Sequence, residues 1–371
     1  MAMKLIHPNA SHGIIHRVTS NFFRYNGWPS VARDERGVLY AVASCFRAWH
    51  VCPMGKTAMF ISCDNGKSWT KPIVINDSYH DDRDAGILYM GNGRLLVTWF
   101  TDCPEDLNEE GNLNMMNTMV PEAIRGVTRG MLESYNYLPQ DKAKGGSYII
   151  ISEDWGVTWC DPIRVPVSAP HGPSLCKDGS LIYLGKALYD ENGNTTYNSG
   201  DICAYKSTDY GYTWEHLSTL SIPQGLNIED FHEPHVIELD DSSLIGMLRS
   251  HNGTPSLYQT ESFDGGKTWT EIHQTGFYGY PGHLLQHSSG AIVCVYGKRY
   301  TPCGEYAAVS YDNGKTWEEE YLVSPSKNGD MGYPASVELE DGSILTVYYQ
   351  TYGEDDFPSI LCTRWRLEDK K

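Results

Sequence analysis

The chain has 371 residues and a net charge of −18, with 40% hydrophobic, 12% aromatic and only 20% charged residues. So acidic a chain argues against a nucleic-acid partner, which would need clustered Lys and Arg to meet phosphates, and against attachment to an anionic membrane. Many aromatics, few long charged side chains and an abundance of Gly and Pro favour sheets joined by tight turns over helices.

The chain opens with "MAMKLIHPNASHG", which has no apolar run, and no segment is long enough to span a bilayer. The reading is a cytoplasmic protein. Its ten Cys include no CxxC pair, and several stand where a strand wants a small apolar residue, as in "AIVCVYG". They read as reduced, buried thiols rather than a disulfide framework.

Two repeats then alternate along the chain. The first unit, "GWPSVARDERGVLYAVAS" from Gly27, is followed by "SCDNGKSW" at Ser62. "DRDAGILYMGNGRLLVTWF" from Asp82 precedes "SEDWGVTW" at Ser152, and "PHGPSLCKDGSLIYLGKA" from Pro170 precedes "STDYGYTW" at Ser207. "HEPHVIELDDSSLIGMLRS" from His232 leads to "SFDGGKTW" at Ser262, and "YPGHLLQHSSGAIVCVYGKR" from Tyr280 leads to "SYDNGKTW" at Ser310. The sixth unit, "YPASVELEDGSILTVYYQ" from Tyr333, has no such box and ends in "SILCTRWRL". Each long unit supplies two strands and each box joins two more, which makes a four-stranded blade. Six blades closed in a ring form a β-propeller, all-β and a single domain over 1–371. Residues near the N-terminus, in "GIIHRVTS", are expected to complete the sixth blade.

The box S-x-D-x-G-x-[ST]-W reads as a structural fastener. Asp312 is placed to accept hydrogen bonds from backbone N–H groups two or three residues on, Gly314 to take a positive φ, and Thr316 to bond back across the turn. Trp317 then locks the hairpin onto the sheet beneath. Between the first two boxes lie roughly forty extra residues, more than an ordinary loop holds. They run over 101–146 within blade 2, with helical periodicity in the second half, and form a candidate lid or substrate wall.

In a propeller the leading ends of the innermost strands meet on one face. Here they carry Trp28, Asp81, Asp82, Arg83, Asp84, His171, Asp230, His232, Glu233, His235, Tyr280, His283 and Tyr333. Titratable and aromatic residues converging from six units argue for a pocket.

Five such boxes on a six-unit pattern resemble the sialidase (neuraminidase) superfamily, in which the motif is the Asp-box, and the resemblance spans nearly the whole chain. It implies that Glu233 activates a nucleophile, that Tyr333 is that nucleophile, and that Arg249 is one of three arginines clasping a substrate carboxylate. A phenol suits this task, because a carboxylate nucleophile would be repelled by an acidic sugar. This chain departs from the pattern at other places. Gly27 stands where the first clasp arginine belongs, and Arg24 lies three residues upstream. Arg299 is displaced from the third arginine's place. "SCFRAWHVCPMG", where the acid/base Asp belongs, offers Arg47 and His50 but no carboxylate.

The resemblance thus implies an exo-acting glycoside hydrolase that releases a terminal acidic sugar with retention. Asp82, Asp84 or His50 would be its general acid. Arg83 and Arg47 would assist binding, and His171, His235 and His283 would reach sugar hydroxyls. Trp28, Trp49 and Tyr280 would stack on sugar faces. The partner is an oligosaccharide or glycoconjugate glycan, with no cofactor and no metal. Two other readings stay open: a lyase or hydrolase acting on a uronate or other non-sialic glycan, and a carbohydrate-binding propeller without catalysis.

Overall fold

The computed structural model describes residues 3–20, 22–102, 114, 118, 122–139, 142–253 and 256–368. Among them the strands form six sheets around one axis, a six-bladed propeller. Blade 1 comprises Tyr25–Arg33, Leu39–Arg47, Lys56–Ser62 and Ile73–Asn76, and blade 2 Asp81–Tyr89, Leu95–Asp102, Gly146–Ser152 and Ile163–Val165. Blade 3 comprises Ser174–Leu175, Leu181–Lys186, Ile202–Ser207 and Glu215–Thr219, and blade 4 Phe231–Glu238, Leu244–Ser250, Ser256–Ser262 and His273–Gln274. Blade 5 holds Gly282–Gln286, Ile292–Lys298, Gly304–Ser310 and Glu319–Pro325.

Blade 6 takes three strands from the C-terminus, Gly332–Glu338, Ile344–Thr351 and Pro358–Trp365. Its outer strand is Ser11–His16, which pairs antiparallel with the last of them through Gly13↔Cys362 and Ile14↔Leu361. This is the N-terminal closure the sequence calls for, and it ties the two ends of the chain together. A further short strand, Lys4–Ile6, adds in parallel to the edge of blade 5. The nine cysteines among the described residues are all free, and Cys45, Cys52, Cys203, Cys294 and Cys362 are buried.

Central strands such as Leu39–Arg47 and Leu95–Asp102 are covered on both faces by neighbouring blades, so almost every residue in them is buried. Their near-continuous runs of apolar and small polar residues, "LYAVASCFR" and "LLVTWFTD", suit such two-sided packing. The boxes sit on the outer turns. Asp312 accepts from the Thr316 N–H at 2.8 Å, the Thr316 hydroxyl at 2.7 Å and the Ser310 hydroxyl at 2.8 Å. The backbone donors stand three and four residues on, at Lys315 and Thr316, because Asn313 and Gly314 both take left-handed φ values of 60° and 80° and curl the turn back.

The boxes also bind each blade to the one before it. A Cβ at Gly66, Gly156, Gly211, Gly266 or Gly314 would come within 2.5–3.1 Å of Leu345, Met59, Leu96, Ile182 or Ile245 respectively, each on the preceding blade. The Trp317 indole N–H likewise donates to Gln259 of blade 4 at 2.9 Å. A five-fold local motif thereby becomes the mortar of the ring.

Between the second and third strands of blade 2 stands the helix Glu122–Tyr135. Its Leu132 and Tyr135 pack against Val51, and Met131 joins the cluster of Ala48, Trp49, Cys52 and Met54. The helix therefore leans on the 48–54 loop of blade 1. The stretches 103–113, 115–117, 119–121 and 140–141 of the 101–146 insertion lie outside the described residues.

Candidate active site

The same irregularity recurs where inner strands reach the axis. Pairing slips between Gly27 and Ser30, Arg83 and Gly86, His232 and His235, and Gly332 and Ala335. Inside each slip one residue adopts a left-handed backbone: Trp28 (φ 51°), Asp84 (φ 53°), Glu233 (φ 49°) and Tyr333 (φ 51°). Blade 3 places Gly172 there with φ 75°. Left-handed geometry costs a non-Gly residue about 1–3 kcal/mol. Four such residues at equivalent points of a ring mark a strained, preorganised centre.

Glu233 and Tyr333 come from blades 4 and 6 and meet across the axis. The Tyr333 hydroxyl donates to Glu233 Oε1 in a short contact. Arg249 Nη1 donates to Glu233 Oε2 at 2.6 Å and to the Tyr333 oxygen at 3.3 Å. The Arg249 guanidinium lies 4.0 Å from the Tyr280 ring centre, which fixes its plane.

Burial works against charge on Glu233, but Arg249 and the Tyr333 hydroxyl outweigh it and hold the carboxyl below its ordinary range. Burial raises the Tyr333 phenol far above its usual value, with Glu233 and Asp84 adding to the push. In the resting site the proton therefore stays on Tyr333.

Two more arginines reach this centre. Arg299 donates from Nε to the Met331 carbonyl at 2.9 Å and from Nη2 to Tyr349 at 3.0 Å, with its guanidinium 5.7 Å from the Tyr333 ring. Arg83 donates to Asp102 at 3.1 Å and lies 4.5 Å from the Trp28 ring. Arg83, Arg249 and Arg299 thus approach from blades 2, 4 and 5. Gly27 supplies no cation from blade 1.

Asp84 lines a small cavity with Glu233, His232, Lys186 and Tyr197. Burial lifts its carboxyl to about 7, against the pull of Arg83 and with a further push from Glu233 and Asp102. Its Oδ1 is buried without a hydrogen-bond partner. An acid that is protonated near neutrality, unpartnered and beside Glu233 has the properties of a proton donor.

Several residues expected at the pocket are placed elsewhere. Arg47 is fully buried and ion-paired with Asp81, so its charge is spent inside the protein rather than on a ligand. Asp82 points into the loop before it and accepts from the Ser78 hydroxyl at 2.6 Å and from Asn76 at 2.8 Å. His50 Nδ1 lies 2.8 Å from the Tyr25 hydroxyl, which donates onward to Asp330 at 2.8 Å. Burial, reinforced by Arg83, drives its pKa well below the usual value, so His50 is neutral and a poor acid.

His171, His235 and His283 form a buried cluster, with ring centres 4.5–5.7 Å apart. His235 accepts from the Leu284 N–H at 3.0 Å, and burial keeps all three neutral. They pack blades 3, 4 and 5 together beneath the site instead of facing sugar hydroxyls. Trp28 and Trp49 are buried too, Trp28 as the platform for Arg83 and Arg47, Trp49 under the helix. Among the described residues no group of three His, Cys, Asp or Glu is arranged to hold a metal ion.

Sequence reasoning passed over Lys186. It is 1% exposed, and its ammonium donates to the carbonyls of Ile228 at 2.9 Å and Phe231 at 2.7 Å, two residues before Glu233. A lone Lys inside the apolar run "LIYLGKAL" was the available signal, since a cation there needs a dedicated partner. Tyr25, Asp102 and Asp330 had no comparable signal.

A Dyadobacter fermentans protein of unknown function superposes with a TM-score of 0.76 at 21% identity, over 97% of this chain and 100% of that one. The NanB sialidase of Streptococcus pneumoniae gives 0.67 at 14% identity, over 95% of this chain and 70% of that one. The intramolecular trans-sialidase of Ruminococcus gnavus gives 0.60 at 16% identity, over 94% and 95%. Likeness at such identities is likeness of fold, and the fold is sialidase-like. No curated protein matches the chain. A family model matches residues 115–346, most of the ring, and on that match the chain belongs to the family of BNR repeat-like domains.

Proposed function

We propose that the protein is an exo-acting glycoside hydrolase that releases a terminal acidic sugar with retention of configuration. The observation that carries this reading is the contact of Tyr333, Glu233 and Arg249 across the axis, made by residues from blades 6 and 4. Three arginines converging inside a chain of net charge −18 favour a carboxylated ring, since a pocket's local charge can oppose the global one.

Arg249 couples binding to activation. Free of ligand, it holds the Glu233 carboxylate and weakens it as a base. A substrate carboxylate drawing on Arg249 raises the affinity of Glu233 for a proton. The Tyr333 oxygen then attacks the anomeric carbon while its proton passes to Glu233, and Asp84 gives its proton to the departing oxygen. In the second step Asp84 takes a proton from water, the water oxygen displaces Tyr333, and Glu233 returns the phenolic proton.

The test uses fluorogenic glycosides of sialic and uronic acids with neutral glycosides as controls. Tyr333→Phe removes one oxygen and is expected to leave the fold intact while turnover falls by orders of magnitude. A Tyr333→Phe variant that keeps most of its activity overturns this mechanism. An unsaturated product absorbing in the near ultraviolet would make the enzyme a lyase, and binding without turnover would make it a binding module.

A further inference from the structure

A second cavity, of about 260 Å³, lies on the other side of the blade 2 sheet from the axial one. Adjacent residues of one strand divide the two: Phe100 lines the axial cavity and Thr101 this one. Its walls are the loop from Asn76 to His80, the sheet residues Trp99 and Tyr148, and the return of the insertion at Lys142 and Lys144. His80 fastens that return, with Nε2 at 2.7 Å from the Lys142 carbonyl and its ring 5.3 Å from that of Tyr135. The insertion thus serves as a wall.

The lining has the mixed chemistry of a sugar site. Tyr148 is half-buried and stacks on Trp99, with ring centres 5.8 Å apart and planes at 21°, so it presents a supported aromatic surface. Tyr79 stands beside it, 58% exposed. Trp99 is 2% exposed, and its indole N–H has no hydrogen-bond partner among the described residues. A buried donor left unpaired costs about 1–3 kcal/mol, which an acceptor arriving in the cavity would recover. Lys142 and Lys144 add positive charge, and the one acid in the lining, Asp77, is already paired with Lys56. The volume falls just below the roughly 300–1,000 Å³ that takes a drug-sized ligand, which suits a single ring.

We propose that this cavity is a second carbohydrate site, taking one carboxylated sugar ring. The ring's apolar face meets Tyr148, its carboxylate meets Lys144, and a hydroxyl or ring oxygen accepts from Trp99. A glycan as ligand rests on the reading of the axial site given above.

The test is calorimetric titration of the full chain with D-glucuronate at low salt, with D-glucose as the neutral control. Wild type is expected to bind at two classes of site, and Arg249→Ala to remove one. Losing a charged hydrogen bond, as in Lys144→Gln, should weaken the remaining class about tenfold or more. Trp99→Phe keeps the ring, loses the N–H and should weaken the same class. Because Trp99 is in the core, the surface change Lys144→Gln decides the outcome if Trp99→Phe fails to fold. If Arg249→Ala abolishes all glucuronate binding, if Lys144→Gln leaves both classes unchanged, or if glucose binds as well as glucuronate, the proposal is wrong. If Arg249→Ala changes nothing while Lys144→Gln removes the binding, the second site stands and the axial reading falls.

Discussion

Replacing Gly314 by Ala tests whether the boxes hold the blades together. Gly314 has φ 80°, and an added Cβ would lie 2.5 Å from Ile245 Cδ1 on blade 4, where Ile245 is fully buried. Gly179 provides a matched control, with φ 82° and nothing within 4 Å of an added Cβ. Both changes put Ala in the left-handed region, at about 1–2 kcal/mol. Only Gly314→Ala also overpacks a core, which adds about 1–3 kcal/mol. Unfolding entropy of about 2.1 cal/mol/K per residue, taken over the whole chain, gives about 0.8 kcal/mol/K. Gly179→Ala should then lower Tm by about 1–3 °C and Gly314→Ala by about 3–6 °C, read by scanning calorimetry at one scan rate. Trimming Cδ1 with Ile245→Val should cancel most of the excess in a double-mutant cycle. Equal shifts for the two glycines, or no coupling to Ile245, would refute the idea that this turn is seated on its neighbour.

The pH dependence follows from Asp84. Its carboxyl, raised to about 7, must carry a proton to act on the leaving group, so kcat should fall as pH rises through that region. Asp84→Asn should remove this limb and cost about 10²–10⁴-fold with ordinary leaving groups, but far less with an activated phenol; an unchanged alkaline limb would reassign the acid. Arg47→Met takes from the buried Asp81 its two-pronged partner, leaving Arg83 at 3.9 Å and the Cys52 N–H, and should cost about 3–5 kcal/mol in urea unfolding, with Asp81→Leu restoring much of it. Stability unchanged but substrate binding weakened would return Arg47 to the pocket.

The blade count was legible because the boxes are local. The Asp of each box takes its Ser and Thr hydrogen bonds from within the same eight residues, so Ser, Asp, Gly and Thr at fixed spacing report the turn without help from the rest of the chain. Glu233, Tyr333 and Arg249 were singled out by the sialidase resemblance, Glu233 and Tyr333 at matching positions of their repeats, and the fold brings the three into contact, while their roles belong to the proposal above. The seating of each box on the preceding blade was not legible, since Gly314 and Ile245 are 69 residues apart and no spacing rule links them.

In "DDRDAG" the sequence alone determined that acids and an arginine stand at the rim, and it left Asp82 and Asp84, with His50, equal candidates for the general acid. Strand periodicity sends alternate residues to opposite faces, so a single slip in pairing exchanges inward and outward from that point on. The slip between Arg83 and Gly86 is such a point: Asp82 turns into its own loop, while Asp84, left-handed within the slip, faces Glu233. Neighbouring strands also decided where each arginine is held, since Asp81 keeps Arg47 inside the protein while the Asp102 carboxylate and the Trp28 ring hold Arg83 at the axis. The sequence by itself determined how many blades there are and which residue types meet at the axis. Only tertiary pairing decided which of them face one another, because a bulge is a property of two strands in register and neither strand's sequence contains it.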